Sequence, residues 1–190
     1  IDSQITSLVI ESGDISQSLC ESVASDALVV MASHGRGRLG RLLYGGVADQ
    51  LMRTLPCPLL IVRGKYSAVD LTDDPMPRHV LIPLDGTNVA ETVVDSAATI
   101  GWLSGAQFTL AHFQDLEPTF GRSELVDAHG YMLNTAKRIK EGLPAVNPEV
   151  VISDRCVSTA ILSLVEEQAI DLIALTTRRR SKLSRLVKPS

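Results

Sequence analysis

Short apolar runs alternate with stretches of helical periodicity along almost the whole chain. Residues 5–10 read as a strand, and 16–25 as a helix with Leu19, Val23 and Ala24 on one face. Residues 27–32 form a continuous apolar run without alternation, followed by a glycine-rich stretch and a helix reaching to about Leu55. Pro56-Cys57-Pro58 ends that helix and opens the strand 59–62. After a polar interval the alternation restarts: strand 79–84, helix 90–103, strand 107–113, helix 124–141, strand 149–153, helix 158–168, strand 172–175. Strands that are apolar throughout are what a parallel sheet covered on both faces requires. The predicted fold class is α/β, a doubly wound and mostly parallel sheet.

Residues 66–77 carry Asp70, Asp73, Asp74, Pro75 and Pro77 without apolar periodicity, and read as a linker. The end of the chain resembles its beginning: a shift of 144 residues lays Arg36 on Arg180, Leu39 on Leu183, Arg41 on Arg185 and Leu42 on Leu186. In both copies a helix and then a strand precede the stretch, which is the mark of an internal repeat. The expected organisation is tandem. A partial module at 1–65 holds the last three strands of the unit. A second module at 78–190 lacks its last helix and strand. Ile1 in place of Met agrees with a chain that is part of something longer.

Composition sharpens this picture at three points. With 45% hydrophobic but only 4% aromatic residues over 190, the core is aliphatic and the chain is neither disordered nor a disulfide scaffold. The net charge of −4 gives no general attraction to nucleic acid or anionic membrane. The apolar runs are too short to span a bilayer, and no secretory leader opens the chain, so a cytoplasmic location is expected. Three scattered cysteines, Cys20, Cys57 and Cys156, then read as buried reduced thiols.

The chemistry-bearing segment runs from Ala32 to Val47: Ala-Ser-His-Gly-Arg-Gly-Arg-Leu-Gly-Arg-Leu-Leu-Tyr-Gly-Gly-Val. It leaves the carboxyl end of an apolar strand, where open α/β sheets take their ligands. Glycines there let backbone amides turn toward a phosphate, and the next helix start adds positive potential. Arg36, Arg38 and Arg41 either reinforce an anion site or are solvated side chains. Gly35-x-Gly37-x-x-Gly40 also matches a dinucleotide fingerprint, the mark of an NAD(P)-binding oxidoreductase. That fingerprint expects an acid about 20 residues on, and the following strand ends in Arg63 instead.

The longer spacing is more specific. A small residue, two positions, Gly35, nine positions, then Gly45-Gly46 resembles the phosphate pattern of the universal stress protein family. The phrases Val47-Ala48-Asp49, Pro56-Cys57-Pro58-Leu59-Leu60-Ile61-Val62 and Leu81-Ile82-Pro83-Leu84-Asp85-Gly86 are similar to it too. The resemblance implies a five-stranded, adenine nucleotide alpha hydrolase-like module, and a stress-response protein binding ATP or AMP, with or without Mg²⁺. It implies a nucleotide site at Met31, Ala32, His34, Gly35, Arg36, Gly45, Gly46 and Val47. It also implies pairing through the edge strand 59–62, as a homodimer or an intrachain pseudo-dimer. Two positions depart from the pattern. Ala32 stands where the first glycine belongs, and Gly46 replaces a Ser or Thr hydroxyl. One lost hydrogen bond of this kind costs about 1–2 kcal/mol.

In the second copy Asp85 occupies the first strand's acid position, as a ligand contact or as a turn residue. Arg179 stands where the loop's second glycine belongs, which makes this module degenerate for nucleotide. From Arg178 to Lys188 six basic residues occur without an acid, a solvated stretch or a phosphate-binding one. Of the histidines, His112 on an apolar strand reads as a satisfied core residue, and the four show no metal-ligand spacing. With no catalytic constellation in view, a nucleotide-binding module is expected rather than an enzyme, with slow ATP hydrolysis at most. The alternatives are a regulatory scaffold or dimerisation module without nucleotide and, behind it, the oxidoreductase.

Overall fold

A computed structural model describes residues 7, 9, 13–33, 47–63, 76–115, 122–140, 146–153 and 156–177. The described residues fall into two compact units, one within residues 1–69 and one within 70–178. The strand expected at 5–10 and the basic stretch 178–188 lie outside the described residues, apart from residues 7 and 9.

The first unit consists of α1 (Ile15–Ser22), β1 (Val29–Ser33), α2 (Val47–Thr54) and β2 (Leu59–Arg63). Asp14 starts α1: its Oδ1 accepts from the amides of Ser16 at 2.9 Å and Gln17 at 3.2 Å. Its second oxygen accepts from Gln50 Nε2 at 3.0 Å, tying α2 to the start of α1. Leu51, 1% exposed, anchors the inner side of α2. Pro58 has no amide to donate, but its carbonyl accepts from Val29 N at 3.1 Å and opens the ladder. The strands then run parallel in register, Val29 opposite Leu59 through Ser33 opposite Arg63.

The second unit holds β3 (His79–Leu84), α3 (Asn88–Glu91), α4 (Val93–Ser104), β4 (Gln107–Asp115), α5 (Arg122–Lys140), β5 (Val146–Ser153), α6 (Val157–Glu167) and β6 (Leu172–Ile173). All strands are parallel, in the order β5-β4-β3-β6. The order reverses direction at β3, so α4 and α5 cover one face and α6 the other. On the first face Val80, Ile82, Phe108 and Leu110 pack under Val94, Ala97, Met132 and Ala136. On the second, Leu81 and Ala111 pack with Leu164 and Ile170. Burial on both faces explains why β3 carries no alternation.

Polar groups close the amino end of this sheet. The Asp171 carboxylate accepts from the amides of Arg78 (2.8 Å) and His79 (3.1 Å). The His79 ring lies between Gln168 O at 3.1 Å and Thr109 Oγ1 at 2.8 Å, so the half-buried ring and the buried hydroxyl satisfy one another.

Several elements differ from the pattern-based expectation. The helix expected at 16–25 ends at Ser22, where Val23 turns extended, so Val23 and Ala24 lie beyond it. The helix expected at 90–103 is divided at Thr92, whose hydroxyl donates to Val89 O at 2.7 Å and competes with the helical ladder. β5 begins at Val146, three residues earlier than expected, because Pro148 is tolerated in an edge strand. β6 has two residues rather than four, although Ala174 N still donates to Leu81 O at 2.8 Å.

Candidate functional site

The carboxyl ends of the parallel strands are where each unit can take a ligand. In the first unit β1 delivers Met31, half-buried, and Ala32, exposed, to that end. α2 starts again at Val47, also half-buried, with Asp49 in its first turn paired to Arg53 at 2.9 Å. The glycine-rich segment therefore joins a strand end to a helix start. His34, Gly35, Arg36, Gly45 and Gly46 lie outside the described residues.

In the second unit Asp85 follows β3 at the same end of the fold and is exposed. Its Oδ1 accepts from Thr87 N at 3.0 Å and also from the Thr87 hydroxyl. Thr87 Oγ1 in turn accepts from Ala90 N at 3.2 Å, capping α3. Gly86 has a φ of +80°, a conformation that suits glycine and lets the turn close. Thr176, beyond β6, donates to Ala90 O at 3.4 Å. Asp85 and Thr87 thus form a turn-and-cap relay, and the Asp-Gly-Thr sequence is its local signature.

Other groups at this end escaped sequence reasoning. Tyr131 donates to Glu91 Oε1 at 3.0 Å, and Arg138 pairs with the other Glu91 oxygen. Burial, with the Glu91 carboxylate beside it, pushes the Tyr131 phenol up to about 12. His112 lies edge-on to Tyr131 with ring centroids 6.0 Å apart, and its Nδ1 is 2.9 Å from Leu84 O. The expectation of a satisfied histidine on an apolar strand is met by that carbonyl.

Cys156 corrects the expectation of buried thiols: it is exposed, while Cys20 and Cys57 are half-buried. It occupies the N-cap position of α6, immediately before the apolar periodicity begins. The hydroxyls of Ser158 (3.3 Å) and Thr159 (3.0 Å) face its sulfur. Their hydrogen bonds to the thiolate lower its pKa to about 7. Among the described residues no three His, Cys, Asp or Glu side chains gather as a metal site would need. No described helix is long and apolar enough to cross a membrane.

Comparison with known proteins bears on both units. The sequence pattern of the universal stress protein family matches residues 2–63 and 76–190. Universal stress proteins of Mycobacterium tuberculosis and Mycobacterium bovis are 31% identical to the chain over 91 residues, 47% of its length. That match spans 30% of those relatives' own length. Among solved structures, a universal stress protein from Archaeoglobus fulgidus DSM 4304 aligns over 87% of this chain and 56% of its own, with a TM-score of 0.61 at 20% identity. A universal stress protein from Burkholderia pseudomallei aligns over 53% and 82%, at 23% identity and a TM-score of 0.45. The matched segments cover nearly the whole chain and fall on the two parallel-sheet units, so the chain belongs to the universal stress protein family.

Proposed function

We propose that this chain is a stress-response protein that binds ATP or AMP through the glycine segment of its first unit, as a sensor rather than a catalyst. The observation that carries the reading is the order strand, glycines, helix at the carboxyl end of β1, with α2 resuming at Val47. Amides of Gly35, Gly45 and Gly46 hold the phosphates, helped by Arg36 and the positive end of α2. Met31 and Ala32 border the nucleoside, His34 lies in the same segment, and Mg²⁺ accompanies the phosphates where it is bound.

The second unit serves as a tandem partner without a nucleotide of its own. Asp85 holds a turn there, and Arg179 replaces a loop glycine. The protein works in the cytoplasm and pairs through the edge strand β2, with another copy or with a sister module.

Thermal melting with ATP or AMP, with and without Mg²⁺, tests this reading. Ligand at 100 times its Kd stabilises the folded state by about 2.7 kcal/mol. The expected result is a rise in Tm that disappears in Gly35→Asp. No rise at millimolar nucleotide favours the regulatory scaffold instead. The oxidoreductase reading requires a shift with NAD(P) and not with ATP.

A further inference from the structure

The amino end of the second sheet holds a histidine whose hydrogen bonds fix where its protons lie. His79 opens β3, is half-buried, and joins two other elements through its ring. Nδ1 lies 3.1 Å from the carbonyl of Gln168, the C-cap of α6, and Nε2 lies 2.8 Å from Thr109 Oγ1 on β4. The Thr109 hydroxyl is fully buried and donates to Gln168 Oε1 at 3.1 Å.

Counting protons in this cluster leads to one charge state. A carbonyl oxygen only accepts, so the bond to Gln168 O places a proton on Nδ1. Thr109 has a single hydroxyl proton, and it goes to Gln168 Oε1. Nε2 must then donate to Thr109 Oγ1, and a ring that donates from both nitrogens is an imidazolium. The neutral ring has a matching arrangement in the same positions. Half a turn of the Gln168 side-chain amide brings its nitrogen to Thr109 as a donor, the hydroxyl donates to the ring, and Nε2 of His79 accepts. Both arrangements bond every group; they differ by one proton and by the direction of the chain of bonds.

Among the described residues no ion pair reaches His79. The Asp171 carboxylate, just before β6, accepts from the amides of Arg78 and His79. The Arg78 side chain before β3 is exposed, as are Glu166 and Glu167 at the end of α6, and β4 brings Gln107 and Thr109, neither of which titrates. The ring meets α6 at its carboxyl end, where the last carbonyls suit a cation.

We propose that His79, Thr109 and Gln168 form a pH-sensitive relay that reverses direction when the ring gains a proton. On acidification Nε2 takes a proton from solvent, Thr109 turns its own proton from the ring to Gln168, and the amide presents its oxygen. The amino end of the sheet thereby gains a positive charge while β3, β4 and the end of α6 stay clasped. The relay lies at the opposite end of the strands from the candidate nucleotide segment and does not depend on that reading.

Nuclear magnetic resonance of the 190-residue chain tests it, following the ring nitrogens of His79 and the side-chain amide of Gln168. The titration runs from about pH 8 to about pH 5, across the ordinary imidazole range near 6.5. The expected result at the alkaline end is a neutral ring with its proton on Nδ1. As pH falls Nε2 gains a proton, and the Gln168 amide signals shift with the same midpoint. Gln168→Glu offers only accepting oxygens, so it holds the relay in the charged direction and raises the midpoint of the ring by at least about one pH unit. With Thr109→Val added, only the charge of the carboxylate remains and the rise shrinks. Thr109→Val alone uncouples the amide signals from the ring, and Thr109→Ser keeps them coupled. Circular dichroism checks that the variants stay folded, and the measurement on the parent chain stands without them. The proposal is overturned by a neutral ring protonated on Nε2, or by Gln168 signals that ignore the ring in the parent chain. A Gln168→Glu midpoint that does not rise, or a rise that Thr109→Val leaves whole, also overturns it. A histidine held by static bonds produces the second pattern.

Discussion

Gly101→Ala tests the packing of α4 on the sheet most directly. A Cβ added at Gly101 would stand 2.2 Å from Phe108 Cζ and 3.0 Å from both Cε atoms, so it meets the ring head-on. Flipping the ring about its long axis leaves Cζ where it is, and Phe108 is 0% exposed within the core. The helix must therefore move outward by more than 1 Å (contact lies near 3.5 Å) or the ring must leave its rotamer. Overpacking of this kind costs about 1–3 kcal/mol, and head-on geometry puts it at the upper end. Replacing a helical glycine with alanine returns about 1 kcal/mol of propensity. The net loss is about 2 kcal/mol, which lowers the urea midpoint by about 1 M when unfolding is followed by far-UV circular dichroism. Adding Phe108→Leu removes the clashing carbon, so the double variant loses less than the sum of the single ones, with a coupling of about 1–2 kcal/mol. A Gly101→Ala protein as stable as the parent, or strict additivity in the double variant, refutes this account of the contact.

Three further outcomes follow from the polar groups. Cys156, with its thiol lowered to about 7, alkylates faster than Cys20 and Cys57 at neutral pH; Ser158→Ala with Thr159→Val moves its rate profile to higher pH, read by peptide mass spectrometry. Tyr131 has a folded pKa raised to about 12, so its contribution to stability is complete below the free phenol value of about 10 and is lost between there and 12. Tyr131→Phe removes that alkaline loss, and phenolate absorbance against pH loses the step near 12. The Asp14 carboxyl is held below its usual range, chiefly by the Gln50 side chain and then by the Gln17 amide. Its contribution is therefore present above the unfolded pKa of about 3.9 and vanishes as pH falls through the lower folded value, and melting of Asp14→Asn between pH 5 and 2 shows a weaker acid dependence.

Much of this architecture could be read from residue order because the decisive signals are local. The run from His79 to Leu84 lies between Pro77 and Asp85-Gly86, and its predicted bounds coincide with those of β3. The apolar runs of β1 and β2 and the Pro-Cys-Pro stop between α2 and β2 were equally plain. The start of β5 was not, because Pro148 reads as a breaker until its strand is known to lie at an edge. Cysteine is commonly buried, yet Cys156 precedes the periodic face of α6 and is left outside. Contacts that join distant residues left no local trace. Glu91 meets residues 40 and 47 positions away, and the Gly101–Phe108 approach depends on how far the helix stands from the sheet. For the candidate site, the glycine spacing singled out a segment, whereas the hydrogen bonds from Thr87 to Asp85 have no signature beyond the Asp-Gly-Thr order.

Those bonds bear on how the second unit differs from the first. Asp85 accepts from Thr87 N and from its hydroxyl, and Thr87 caps the single turn of α3, which leads into α4 through Thr92. A nucleotide hydroxyl competing for that carboxylate must displace bonds worth about 1 kcal/mol each and loosen a cap worth a similar amount. Asp85→Ala should therefore lower the melting temperature of the free protein, by an amount corresponding to about 1–2 kcal/mol, while the increment produced by ATP stays as it was. In Asp85→Asn the amide oxygen still accepts from Thr87 N, so most of the lost stability returns. If Asp85→Ala instead erases the ATP increment and leaves the free protein unchanged, the acid belongs to a ligand site and the turn does not need it.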